Sequence, residues 1–362
     1  MVAAAALAGC ARDDAPSGRE VAGAGPTVER VPVSRSVRPP APTTGLDPAL
    51  LARAEEVAEG LPRLNALVVA RGGDVYLDRA FRGPPTSTPV NIKSASKSVL
   101  SALTGAAIAD GVLEGTEQRV VDILGGVPEG ADPRVADITV GHLLSMRAGL
   151  ESTSGRNYGR WAVSSDPVAH ALTRPVVDVP GGRMIYSTGT SHILSAVLTA
   201  ASGTTTLELA RRYLGEPLGI DVPPWPRDPN GIYYGGNDML LSPRALLRLG
   251  QCFRLGGEWR GERVVPEGWV ERSWERRGRS RWTGDGYGYG WWLRRMGGHD
   301  VAYAWGYGGQ MLYVVPSLEL VVAMTSPSAP SDARRGHVAG LHTLMRDVLV
   351  PAAERGGAAE AL

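Results

Sequence analysis

The chain has 362 residues, with 38 Lys and Arg against 37 Asp and Glu and a hydrophobic fraction of 43%. A net charge near zero argues against nucleic-acid or acidic-membrane binding driven by bulk charge. The length exceeds one typical small domain without reaching a large multidomain chain, and no apolar run approaches the roughly 18 residues of a membrane-spanning helix.

Met1 to Leu7 is an apolar, Ala-rich run, and Leu7-Ala8-Gly9-Cys10 has the pattern of a bacterial lipoprotein cleavage site, at which Cys10 is lipidated after export. The basic segment that usually precedes such a run is missing, so either the start codon lies further upstream or the match is accidental, and the segment that follows favours the first. Residues 11–45 are rich in Asp, Pro, Gly, Ser, Thr and Arg without periodicity and read as a flexible linker. The expectation is an exported protein, lipid-anchored on the outer side of the bacterial cytoplasmic membrane or periplasmic, whose only membrane contact is that anchor. Cys252 falls in the helical pattern Leu246, Leu247, Leu249 and reads as a buried core thiol. Two cysteines, one of them acylated, make neither a disulfide framework nor a zinc site.

The folded domain is expected over residues 46–352, with 353–362 as a tail. Asp47-Pro48 supplies an N-cap and a proline at the first helical position, and the helix runs to Gly60. Leu64 to Ala70 and Val75 to Phe81 flank Gly72-Gly73 and read as a hairpin. A loop with Pro84, Pro85 and Pro89 then delivers the chain to Asn91-Ile-Lys-Ser-Ala-Ser-Lys97.

Ser94-x-x-Lys97 reads as a nucleophile and its amine. Residues three apart share a helix face, and a helix N-terminus favours negative charge developing near Ser94. Lysine occurs only at 93 and 97, so the remaining 36 cations of the chain are arginine. A surface cation can be either residue, but guanidinium does not give up its proton in proteins. A chain that has nearly eliminated lysine keeps both copies beside one serine. Lys93 reads as a solvated or structural cation, and Val99, Leu103, Ala106 and Ala107 as the stripe that buries the helix.

From Asp110 to about Gly235 the pattern is helix and loop. Thr139 is placed to cap a short helix through His142, itself a surface or capping group, and the turn Pro180-Gly181-Gly182 leads to Tyr186-Ser187-Thr188 and the apolar helix Ile193 to Ala201. Ser242-Pro243 opens another helix. The last third changes period: Tyr287 to Met296, Val301 to Trp305, Gln310 to Val315 and Leu320 to Thr325 read as an antiparallel meander, and a final helix carries Val338, Leu341, Met345, Val348 and Leu349. The fold class is α+β: one antiparallel sheet flanked by N- and C-terminal helices, a mainly helical second lobe, and Ser94 between them. The aromatic run Tyr287 to Trp292 reads mainly as sheet packing, with one Trp available to line a cleft.

The order S-x-x-K, a Tyr-Ser motif after Pro-Gly-Gly, and then a Gly-rich strand resembles the serine β-lactamase-like hydrolases, which include class C β-lactamases, DD-peptidases, related esterases and 6-aminohexanoate-dimer hydrolases. The resemblance covers about Asp47 to Val350 and rests also on Ile138 to Leu150, Leu241 to Gly250 and Ala304-Trp-Gly-Tyr-Gly-Gly-Gln310. It implies a β-lactamase/transpeptidase-like fold in which Ser94 forms an acyl-enzyme while Lys97 and Tyr186 move protons, the identity of the base staying open. By the same resemblance the backbone N–H groups of Ser94 and Tyr307 hold the oxyanion beside Gly306. No metal or organic cofactor is implied. The absence of a G-x-S-x-G elbow disfavours a Ser-His-Asp α/β-hydrolase.

Two departures bear on substrate. The second motif usually reads Tyr-x-Asn, but Thr188 stands in the third place; the third motif usually opens on Lys or His, but here it is Ala304-Trp305-Gly306. A β-lactam carboxylate would lose its cationic partner. The reading is hydrolysis of a small-molecule ester or amide, in the manner of the 6-aminohexanoate-dimer hydrolase and esterase branch. The alternatives are a β-lactamase or DD-peptidase, or a non-hydrolysing acyl-binding sensor.

Overall fold

The computed structural model describes residues 45–329 and 336–356. Cys10, the lipoprotein-type segment 1–10 and nearly all of the linker 11–45 lie outside the described residues, as does the end of the tail.

Helix α1 (Pro48–Glu59) begins as its sequence signals: Leu50 N–H donates to Asp47 Oδ1 at 3.0 Å. Strands β1 (Ala66–Arg71) and β2 (Asp74–Ala80) form the hairpin, turning through Gly72 and Gly73. Helix α2 (Ser96–Ala109) follows the Ser94 turn, α3 (Thr188–Ser202) follows the Tyr-Ser motif, and α4 (Pro243–Arg254) is capped by the Ser242 hydroxyl. The remaining strands of the main sheet are β3 (Gly278–Arg279), β4 (Gly286–Tyr287), β5 (Trp292–Met296), β6 (His299–Gly306), β7 (Gln310–Val315) and β8 (Leu320–Thr325). Helix α5 (His337–Leu344) leads into the last turns, which end with the helix Val350–Gly356.

These eight strands join one antiparallel sheet in the order β2-β1-β8-β7-β6-β5-β4-β3, so the early hairpin docks on the end of the late meander. Alternation along the central strands divides the core in two. Val68, Leu312, Val314, Val321 and Ala323 point to a cluster shared with α2, α4 and the helical lobe. Leu67, Val69, Tyr313, Val315, Val322 and Met324 point to a cluster shared with α1, α5 and the last turns. Strands buried on both faces have no polar side, which is why they read as nearly continuous apolar runs.

Helix α2 departs from the expected stripe. Every residue from Ser96 to Ala107 is buried, because α2 runs between sheet and helical lobe and meets protein on all sides. Its polar residues find partners on both scales: Ser98 donates to the distant Gly290 O at 2.6 Å, and Thr104 to Leu100 O within the helix at 2.8 Å.

Candidate active site

Ser94 stands on a single 3₁₀ turn, Lys93–Ala95, just ahead of α2, rather than inside the first α-helical turn. The segment before it, Val90–Asn91, pairs with Leu240–Leu241, and Ile92 N–H donates to Met239 O at 3.0 Å. Lys93 has a left-handed backbone, φ +49, in a residue with a full side chain. Such a conformation costs on the order of 1–3 kcal/mol and persists only where surroundings impose it. Here the restraints are visible: Lys93 N–H donates to Asn91 Oδ1 at 2.8 Å, while Lys93 Nζ and Asn91 Nδ2 reach Asp238 Oδ1 at 2.6 and 2.7 Å. Lys93 is therefore a structural cation, clamping the Ser94 turn to the loop Gly235–Asp238.

Lys97 projects from the first turn of α2 into the interior and is 3% exposed. Its Nζ donates to Gly236 O at 2.6 Å and lies 4.9 Å from the centre of the Tyr186 ring. Burial pulls the ammonium down from 10.5 to about 7, with the Asp238 charge opposing the shift. Gly236 is required where it is: with φ +71, an added Cβ would stand 2.6 Å from Lys97 Cγ. Burial also pushes the Tyr186 phenol up to about 12, with the neighbouring Ser94 hydroxyl opposing the shift. Serine, phenol and amine are thus in one connected arrangement, with the amine near its midpoint at neutral pH and the phenol protonated.

The Tyr186 ring is held by stacking on Trp292, centroids 5.6 Å apart, and by the edge of Tyr287 at 6.2 Å. A second restraint was not legible in the sequence. The run Ser152-Thr153-Ser154 is joined by hydroxyls to Tyr186-Ser187-Thr188: Ser152 Oγ donates to Tyr186 O at 2.7 Å, Thr153 and Ser187 hydroxyls meet at 3.1 Å, and Ser154 and Thr188 hydroxyls at 3.0 Å. Thr188, in the place of the usual Asn, spends its hydroxyl on this contact. Small hydroxyl residues in a loop carry no signal until their partners are known.

Strand β6 brings the third motif to Ser94. At Gly306 a Cβ would come within 2.2 Å of Ile92 O, so only glycine lets the strand end lie against the Ser94 turn. A cleft of about 730 Å³ opens there, lined by Ser94, Tyr186, Thr188, Trp305 and Tyr307 among the expected residues, while Gly306 and Lys97 lie behind its wall. Also lining it are Tyr158, Asn237, Trp282 and Trp292. Asn237 Nδ2 donates to Tyr158 Oη at 2.8 Å. Among the described lining residues the one cation is Lys93, and Asp238 holds it. The Gly235–Asp238 loop carries no signal in the sequence, since Gly-Gly-Asn-Asp is ordinary loop chemistry. His142 proves to be a capping group, its Nδ1 accepting from Thr139 N–H at 3.2 Å. Cys252 is the buried thiol expected, pushed up to about 12 by burial.

An antiparallel sheet between terminal helices and a helical lobe, with a serine, lysine and tyrosine meeting at their junction, defines a serine hydrolase with the β-lactamase/transpeptidase-like fold. A family model described as Beta-lactamase matches residues 63–344, and the chain belongs to that family. The 6-aminohexanoate-dimer hydrolase of Paenarthrobacter ureafaciens is 25% identical over 331 residues, covering 83% of this chain and 82% of that protein. Among solved structures, EstCE1, a hydrolase with promiscuous acyltransferase activity, superposes with a TM-score of 0.68 at 18% identity, over 84% of this chain and 99% of that one. A penicillin-binding protein homologue from Caulobacter crescentus gives 0.64 at 18% identity, over 83% and 99%. At those identities the two structures speak for the fold alone.

Proposed function

We propose that the protein hydrolyses small, uncharged esters or amides through an acyl-enzyme on Ser94. The observation that carries the reading is that Ser94 and Tyr186 share one cleft, with the buried Lys97 amine over the same tyrosine ring. In this scheme neutral Lys97 is the base. It takes the serine proton, directly or through the Tyr186 hydroxyl, as Ser94 Oγ bonds to the substrate carbonyl. Tyr186 is better suited to relay or donate a proton than to wait as a phenolate, since burial holds its proton on at neutral pH. The oxyanion is received by the backbone N–H groups of Ser94 and Tyr307. Collapse expels the alcohol or amine with a proton from the Tyr186–Lys97 pair, and water, activated by the same pair, frees the acid.

The cleft supports the choice of substrate. Its walls are aromatic, from Tyr158, Trp282, Trp292, Trp305 and Tyr307, and its lysine is committed to Asp238. An apolar, uncharged acyl group suits such walls, and a carboxylate-bearing β-lactam or peptide finds no free cation among the described lining residues. The name of one relative, a 6-aminohexanoate-dimer hydrolase, agrees with an amide substrate.

The test is intact-protein mass after brief exposure to an activated short-chain ester, with turnover followed in the same tube. Turnover with an acyl mass on the wild type is expected. Ser94→Ala and Lys97→Arg should each lower the rate by about a thousandfold or more while keeping the fold. Near wild-type rates in either variant would refute the assignment, and a persistent adduct without turnover would favour an acyl-binding sensor.

A further inference from the structure

His192 and Asp228 form a polar pair that the chemistry above does not use. Neither side chain is exposed, and His192 Nε2 lies 2.9 Å from Asp228 Oδ2. The tautomer is fixed by the other nitrogen: Gly235 N–H donates to His192 Nδ1 at 3.2 Å, so Nδ1 carries no proton and Nε2–H donates to the carboxylate. Asp228 is anchored in turn, Oδ1 accepting from the N–H groups of Asn230 and Ile232 at 2.9 Å each. Burial works against its charge, yet the hydrogen bonds from His192, Ile232 and Asn230 hold the carboxyl below its ordinary range.

The residue that His192 grips is the neighbour of the one that receives Lys97. Gly236 O accepts from Lys97 Nζ at 2.6 Å, and Asp238 two residues on holds Lys93. The loop has no slack against α3: a Cβ at Gly235 would stand 2.3 Å from Ser191 O, and one at Gly236 2.5 Å from Ser191 Oγ. Ser195 on the same helix donates to Tyr233 O at 2.7 Å. The imidazole is walled by Trp161 and Tyr234, with ring centroids 5.6 and 5.1 Å away.

We propose that His192 is a positioning residue for acyl transfer: through Gly235 it fixes the Gly236 carbonyl against the Lys97 amine, and Asp228 locks the imidazole tautomer that allows this. The inference rests on the reading of Ser94 and Lys97 given above. An amine with one N–H committed to a fixed carbonyl presents its lone pair in one direction, and small misplacements of a reacting group cost rate steeply. The charged and titratable groups that face Lys97 are Tyr186 and Asp238, with Lys93 paired to the latter; those that face His192 are Asp228 and Tyr234.

Because the chain has only two lysines, protein labelled with ¹³C at lysine Cε gives two signals, and Lys93→Arg assigns them. The Lys97 midpoint can then be read without substrate, beside kcat/KM for a neutral ester. His192→Asn keeps an acceptor at the Nδ1 position and is expected to hold both the midpoint, near 7 in the wild type, and the rate. His192→Gln places its amide near Nε2 and leaves Gly235 N–H without its acceptor. It should displace the midpoint by about half a pH unit or more and lower kcat/KM about a hundredfold. Loss of the carbonyl favours the neutral amine and entry of water the charged one, so displacement in either direction is the expected result. Should His192→Gln not fold, Asp228→Asn carries the same test, since its NH₂ must oppose either Nε2–H or the Ile232 N–H. A Gln or Asp228 variant with the wild-type midpoint and rate overturns the proposal. If the wild type shows no Ser94-dependent turnover, the functional reading falls instead, and the Lys97 midpoints still report on His192.

Discussion

Lys97 is the residue whose environment has the largest consequences for rate and stability. With its ammonium pulled down to about 7 by burial, the neutral amine gains on the charged form as pH rises through that value. For a neutral ester, kcat/KM is therefore expected to climb with pH and level off above about 8, an inflection that stopped-flow or plate assays across pH 5–9 would locate. The same shift bears on stability. Between about 7 and 10.5 the unfolded chain holds one more proton than the folded one, so this group makes stability rise with pH across that window. Below 7 the whole penalty, about 5 kcal/mol, opposes folding. Lys97→Met should be inactive yet more stable than the wild type at pH 6. That gain is offset by about 1–3 kcal/mol for the Gly236 carbonyl left without a donor. It should shrink toward zero by pH 9 in urea melts. Tyr186→Phe removes the relay but not the ring packing and should lower kcat by about 10²–10⁴ with little change in melting temperature.

At the scale of elements, the site depends on how closely β6 approaches the nucleophile turn. Gly306→Ala would set a methyl 2.2 Å from the Ile92 carbonyl, a backbone atom that cannot swing aside. Displacing that turn moves Ser94 from Tyr186, so a loss of kcat of about a hundredfold is expected even where the variant folds. Trp282 tests the wall instead of the machinery. It sits in the loop between β3 and β4, lines the cleft and is 78% exposed. Trp282→Ala should raise KM for esters of large apolar acids with kcat kept, and leave stability within about 0.5 kcal/mol, as judged by a chain-length series and a thermal melt. The hairpin, the capped helices and the meander were legible because each is written in local turn and cap chemistry. Helix α2 was legible as a helix but not as one buried all round, since Ser98 and Ser101 find their partners in other elements.

For the whole molecule, the described fold starts at Gly45, just ahead of α1, where Asp47 N–H donates to Ala352 O at 3.0 Å and ties the two terminal helices together. A chain beginning at Gly45 is expected to keep the kcat/KM of the longer one. We also propose that Cys10 is the lipid attachment site, and Cys10→Ser should move the protein from the membrane to the soluble fraction of a bacterial host without changing its activity. Composition, periodicity and the order of three motifs determined the fold class and singled out Ser94, Lys97 and Tyr186 as the candidates, because the proposed chemistry needs a hydroxyl, an amine and a phenol and two lysines among so many arginines are conspicuous. The tertiary structure alone decided what surrounds them: Gly236 against Lys97, Asp238 on Lys93, the hydroxyl seam behind Tyr186, and the His192–Asp228 pair behind the loop. Those partners lie 34 to 145 residues apart along the chain and meet only through lobe packing. Nothing in the local pattern of a glycine, a serine or a buried histidine announces which distant atom it will hold.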